Sequence, residues 1–286
     1  MFKKRNLLFL IIAISILALA VAGCGDGNND PANNNNDNNN NVEDNDDPVG
    51  DGSLQRVLDA GEFHVVGSGG YRPFNYFDED GEIIGFDVDT GAAIAERLGV
   101  ELNYGDTAWD GIIEGLRAGR YDAVLGSMGI TDDRLEVVNF TIPYYYSGAQ
   151  LVVREDSGIT GPGEMEGLTI GVTTGTTFAD DAEELGAEIS FYEDDTQTLM
   201  ELINGRVDGV ITDRLVAVEN IGGMQGGDQL TMAGELLRLE QMALAVRKDD
   251  VELLEKLDEI LADLHADGTM TAISEDWFDG LDITVK

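Results

Sequence analysis

The sequence predicts an α/β fold of two similar lobes with a ligand cleft between them. Three observations carry that expectation. Strand-like apolar runs alternate with helical ones, a helix–turn–strand unit occurs twice, and about 230 residues follow a polar N-terminal stretch. That length is ample for two small lobes, each with its own core.

Taken in order, residues 63–67 read as a short buried strand, and 78–81 as a tight turn between extended segments. In 90–98, Ile94, Ala95 and Leu98 share a helical face. Gly99 follows as a stop, and Asp87 or Asp89 can cap the start. Residues 100–104 are strand-like, 111–118 helical through Ile112, Ile113 and Leu116, and 121–125 strand-like again. The unit 116–124 (LRAGRYDAV) then reappears as 202–210 (LINGRVDGV): a helix end, a Gly-Arg turn and a strand start. The first copy runs into the polar tip Gly126-Ser127-Met128-Gly129, the second into Thr212-Asp213. Open α/β sheets bind ligands beyond the carboxyl ends of their strands, so two such tips predict one site between lobes. Near the C-terminus, 243–247 reads as a strand and 249–266 as an amphipathic helix with Val251, Leu254, Leu257, Ile260, Leu261 and Leu264 at helical spacing. Trp277 and Phe278 offer an apolar anchor for the end of the chain.

The N-terminus sets the expected compartment. Lys3, Lys4 and Arg5 precede an uncharged run, 7–22, broken only by Ser15 and too short to span a membrane comfortably. The run closes on Val21-Ala22-Gly23-Cys24, which resembles the lipobox of bacterial lipoproteins. That resemblance implies cleavage after residue 23 and a diacylglycerol on Cys24, the single cysteine, which has no disulfide partner. Residues 24–52 are rich in Asn, Asp and Gly and are expected to form a disordered tether with a reach of roughly 30 Å. No later apolar stretch approaches the ~20 residues of a spanning helix, so the body is expected outside the cytoplasm.

Net charge is −39, and from residue 53 onward 14 basic residues face 48 acidic ones. Nucleic acid is excluded as a partner, because phosphate binding needs clustered Lys and Arg. The acids are scattered rather than blocked. A salt-adapted surface is therefore expected, since near 1 M salt charges are screened beyond ~3 Å; attraction of a cationic ligand is the alternative.

Tyr71-Arg72-Pro73-Phe74, the segment 85–89 (GFDVD), the segment 130–134 (ITDDR) and the aromatic run 140–146 occur in one order and spacing. Through these the chain, over roughly 53–286, resembles the bacterial extracellular solute-binding proteins for polar amino acids, family 3, which serve ATP-driven importers. The resemblance implies a type II periplasmic-binding-protein fold with two hinge crossovers, near 146–150 and 240–243. Lobe 1 would comprise 53–146 and 242–286, and lobe 2 would comprise 147–241. It also implies an importer permease as partner and a monomer, with no cofactor and no metal.

On the same resemblance Arg134 clamps the α-carboxylate, which suits a planar, permanently charged guanidinium. By composition alone it could equally pair with Asp132 or Asp133. Asp213 matches the ammonium-binding acid, although an Asp at a strand end is often a helix cap. The Gly126 carbonyl assists, with Ser127 and Met128 beside it; Gly129 keeps only a backbone donor where relatives carry Ser or Thr. Thr176 and Thr177 match the second-lobe donors to the carboxylate. Tyr71 and Trp109 match the aromatics that sandwich the side chain. Ser68, Thr173, Phe178 and Thr212 fall where side-chain pockets form, and relatives binding cationic side chains place acids near Ser68 and Asn75. An uncharged lining would leave a buried cationic head unpaired, which predicts a neutral polar ligand.

Enzyme signatures are lacking: there is no Gly-x-Ser-x-Gly elbow and no His-Glu-x-x-His pair, and His64 and His265 lie far apart. Leu98 stands where a calcium loop beginning at Asp87 would need a bidentate Glu. A dehydratase-like exported enzyme on this fold, or a sensing module acting with a separate receptor, remain the rival readings.

Overall fold

The computed structural model describes residues 50–286. In chain order come α1 (Ser53–Ala60), β1 (Glu62–Gly67), β2 (Gly70–Tyr71), β3 (Asn75–Phe77), β4 (Ile83–Ile84), α2 (Phe86–Leu98), β5 (Glu101–Asp106), α3 (Ile112–Arg117), β6 (Ala123–Gly129), α4 (Asp132–Val137) and β7 (Val138–Phe140). β8 (Tyr145–Arg154) leads into β9 (Thr169–Thr173), α5 (Phe178–Glu184), β10 (Glu188–Tyr192), α6 (Asp195–Ile203), β11 (Gly209–Asp213), α7 (Arg214–Gly223) and β12 (Leu230–Met232). The chain returns through β13 (Arg238–Arg247) to α8 (Val251–Ala266) and α9 (Thr269–Trp277).

The main sheet runs β10-β9-β11-β8-β13-β6-β1-β5. Its two wings are parallel: β1 pairs with β5 and β6, and β9 with β10 and β11. Between them β8 and β13 lie antiparallel to each other and to the flanking strands β11 and β6. The first half of β8 pairs with β13 and its second half with β11; β13 pairs first with β8 and then with β6. Each long strand therefore passes from one wing of the sheet to the other.

Separate apolar clusters lie under each wing. Phe63, Val65, Phe86, Leu125, Leu244 and Leu257 belong to one, and Leu151, Ile170, Val172, Phe178 and Ile211 to the other. The repeat seen in the sequence is a structural one. Gly119 and Gly205 both take the left-handed conformation that glycine adopts without a Cβ clash (φ 72° and 69°). The Asp122 carboxylate accepts the His64 amide at 3.1 Å, and the Asp208 carboxylate accepts the Thr169 amide at 2.9 Å. In each copy this aspartate fixes the strand start against its parallel neighbour.

Three expectations are corrected. Helix α2 begins at Phe86 behind Gly85, and neither Asp87 nor Asp89 caps it. Asp87 is buried, and Asp89 accepts from the Trp277 indole at 2.7 Å. The strand expected at 243–247 is the second half of β13. Val251, placed on the apolar face of α8, is 46% exposed, and Leu253 is buried instead.

Cys24, the leader and residues 24–49 of the tether lie outside the described residues. The last tether residues pack on α8. Asp51 accepts from the Val251 and Glu252 amides at 2.6 and 3.0 Å, and Ser53 Oγ accepts from the Leu253 amide. Residues distant in sequence thus satisfy the free N–H groups that α8's own preceding residue leaves uncapped. Among the described residues no helix is long and apolar enough to cross a membrane.

Candidate binding site

The cleft between the wings is built from the carboxyl ends of β1, β6 and β9, the start of α6, and the crossover strand β13. The space left between its walls is small, about 40 Å³. The two sides touch. The Trp109 indole N–H donates to the Gly175 carbonyl at 3.2 Å, and Arg72 pairs with Glu219 at 3.0 Å.

Ser68, Tyr71, Trp109, Gly126, Ser127, Gly129 and Arg134 line the cleft from one side. Thr173, Thr176, Thr177 and Phe178 line it from the other. Three expected residues do not: Met128, Asp213 and Thr212, the last being fully buried. Met128 points into the core of the first wing and is 0% exposed; alternation along β6 sends its side chain away from the face that Ser127 and Gly129 share. Asp213 is also fully buried. Its Oδ1 caps α7, accepting from the Leu215 amide at 2.7 Å and the Val216 amide at 3.4 Å, while its Oδ2 has no hydrogen-bond partner.

The tip of β6 is held in place from below. Ser127 has φ 58°, a left-handed conformation unusual for a side-chain-bearing residue. Its amide donates to the Tyr144 hydroxyl at 3.0 Å and its hydroxyl to Asp87 at 3.0 Å. Tyr144 and Asn75 donate to the same carboxylate at 2.6 and 2.7 Å. Asn75 in turn accepts from the Ser68 and Gly69 amides, which fixes the first-wing loop. Asp87, expected as a helix cap, is thus the buried support of the site. Burial raises its pKa to about 6 against the three donors that lower it.

Arg134 lies at the start of α4, capped by Thr131. Its Nη1 donates to the Gly129 carbonyl at 2.8 Å, and its guanidinium lies 5.7 Å from the Trp109 ring centroid. Among the described residues no carboxylate pairs with it, Asp132 and Asp133 included. Acids outnumber bases 56 to 17 in this chain, so an unpaired buried-edge guanidinium is a specific feature. Arg238 differs: it donates to both oxygens of Asp181, to Glu240 at 2.7 Å and to the Thr177 hydroxyl at 2.6 Å.

The lining is not the uncharged set on which a neutral ligand was expected. Glu193, Asp194, Asp195 and Glu240 also face the cleft, with Gly70 and Met242. Asp195 is 4% exposed and accepts from the hydroxyls of Thr173 and Thr212, so Thr212 reaches the site through it. Burial raises the Asp195 pKa to about 6 and that of Asp213 to about 7. Sequence reading missed these acids because they sit at a helix start and on a crossover strand. The adjacent Asp194-Asp195 pair before a helical run was the available signal, and cap chemistry accounts for one member only: Asp194 accepts from the Gln197 amide.

The family model for bacterial extracellular solute-binding proteins, family 3, matches residues 63–280. The chain is 32% identical over 238 residues to the L-cystine-binding protein TcyJ of Escherichia coli (strain K12), covering 82% of this chain and 88% of that protein. It is 34% identical over 215 residues to the ABC transporter arginine-binding protein 1 of the same strain, covering 73% and 87%. Among solved structures, a mutant of the arginine-binding protein ArgBP from T. maritima superposes with a TM-score of 0.75 at 33% identity, covering 79% of this chain and 99% of that one. An ancestral amino acid-binding protein described as a precursor of cyclohexadienyl dehydratase gives 0.74 at 31% identity, covering 79% and 99%.

Proposed function

This chain belongs to the bacterial extracellular solute-binding proteins, family 3, and on that footing we propose that its cleft captures one amino acid for an ABC importer. In this reading the lobes are 53–146 with 242–286, and 147–241, and they close over the ligand about β8 and β13. Cys24 carries the lipid anchor that keeps a monomeric body beside the permease. The carrying observation is the Arg134 guanidinium, left without a carboxylate at the edge of an enclosed cleft. It receives the α-carboxylate, and the free Oδ2 of Asp213 receives the α-ammonium when the lobes part and re-close around the ligand.

Calorimetric titration with the twenty common L-amino acids and L-cystine tests the reading. At least one should bind the wild-type chain, and Arg134→Ala should weaken it about 100-fold or more, as expected when a buried charge-assisted pair is broken. A panel in which nothing binds, or an Arg134→Ala variant that binds normally, removes the reading.

For the side chain, the acids of the lining support a ligand bearing a second nitrogen that can carry charge, rather than the neutral one expected from Ser68 and Asn75. Cystine and arginine, the ligands named for two relatives, both have such a nitrogen. L-arginine should therefore bind tighter than L-citrulline, its uncharged isostere; citrulline binding equally well would restore a neutral ligand. Binding rather than turnover is supported by the relatives, which are named as binding proteins.

A further inference from the structure

Five buried side-chain polar atoms among the described residues have no hydrogen-bond partner: Thr90 Oγ1, Tyr145 OH, Ser147 Oγ, Asp213 Oδ2 and Glu240 Oε2. The last four belong to one patch of sheet. Across β11, β8 and β13 the register pairs Asp213 with Ala149, Glu240 with Ser147 and Met242 with Tyr145. Directly paired residues share a face, as do residues two apart on one strand. Asp213, Ser147 and Glu240 therefore project from the same side, with only the Ala149 methyl group beside Ser147 between the outer strands. Buried polar atoms are normally satisfied; the Ser147 hydroxyl lies near enough to Asp213 to lower its pKa, and the two carboxylate oxygens, Asp213 Oδ2 and Glu240 Oε2, mark where a further donor fits.

We propose that Glu240 is a second ammonium-binding acid, so that the α-ammonium of the ligand is held between Asp213 Oδ2 and Glu240 Oε2 with Ser147 Oγ between them. This rests on the amino-acid-binding reading above and adds a residue to it. Glu240 is 7% exposed and lines the cleft. Its Oε1 is fixed by Arg238 Nη1 at 2.7 Å, and Arg238 is itself fixed by Asp181 and Thr177. That anchoring leaves Oε2 rigidly presented. Arg238 pairs with both Asp181 and Glu240, and no cation lies within ion-pairing distance of Asp213. An ammonium offers three N–H donors and one positive charge, matching two carboxylates and a hydroxyl. A neutral hydroxyl in its place would supply one donor and no charge.

The test compares wild type with Glu240→Gln, which keeps shape and removes charge. Both are titrated calorimetrically with the twenty common L-amino acids and L-cystine, and with the α-hydroxy acid corresponding to each one that binds. The expected result is an amino-acid affinity about 10–100-fold lower in Glu240→Gln, with the α-hydroxy acid changed by less than about threefold. A cooperative melt of ligand-free Glu240→Gln, with a midpoint equal to or above wild type, shows that the loss is not unfolding. An equal loss for both ligand series overturns the proposal and leaves Glu240 as a support for Arg238. An unchanged amino-acid affinity overturns it while leaving the amino-acid-binding reading intact; a wild-type chain that binds no member of the panel overturns both.

Discussion

Asp87, Asp195 and Asp213 are carboxyls sealed in the lobes with hydroxyl, amide and backbone donors but no cation beside them. Burial holds their pKa values near 6, 6 and 7, against a reference of 3.8. Each binds its proton more tightly folded than unfolded, so folding takes up protons between about pH 4 and pH 7. Stability of the ligand-free protein should therefore rise as pH falls from 7.5 through about 5.5, measured as the thermal midpoint across that series. A midpoint that falls over the same range would show these groups to be ionised and compensated. At this scale the sequence was only partly legible. That Arg134, Gly126, Ser127 and Gly129 lie along the cleft was readable from motif and spacing, whereas Met128 turns into the core. Asp213's deep burial, Asp87's role as a support and the acids at 193–195 and 240 were not readable, because a carboxylate looks the same in sequence whether it caps a helix, faces solvent or faces a ligand.

Individual elements were read well where periodicity is strong. β1, β5, α3 and most of α8 fall within a few residues of expectation. The failures have physical causes. Helix α2 starts a turn early because Gly85, at φ 138°, lets the chain enter against the carbonyls of Pro73 and Phe74 without a side chain. β13 is twice the expected length because its first half, 238–242, is pinned by β8, a partner far away in sequence. The tether ends sooner than its composition suggests because Asp51 docks on the start of α8; a hydrogen bond from the Ser53 side chain, followed by those from the Glu252, Ser53 and Val251 amides, pulls its pKa down to about 2. Asp51→Ala should lower the thermal midpoint at neutral pH and raise hydrogen exchange in the first turn of α8. Unchanged exchange there would mean that solvent caps the helix as well as Asp51 does.

For the whole molecule, charge dominates. A net charge of −39 on 286 residues makes the compact state repel itself, and the repulsion weakens as salt shortens the Debye length from ~10 Å at 0.1 M to ~3 Å at 1 M. The thermal midpoint should climb steadily between 0.1 and 2 M KCl; a flat profile would show the acids to be locally compensated. The two-lobed plan was legible from the repeat alone, since both copies carry a turn glycine and a strand-pinning aspartate that perform the same job. Which strand follows which across the hinge was not, because pairing between β8 and β13 leaves no trace in local periodicity.

The bond from the Trp109 indole to the Gly175 carbonyl joins the two jaws at their rim. Trp109 is one of only two tryptophans, and the other, Trp277, is tied to Asp89 within a single lobe. Under the proposed opening the molecule contains its own optical gauge: the Trp109 indole changes surroundings as the jaws separate, and Trp277, held by Asp89, serves as an internal reference.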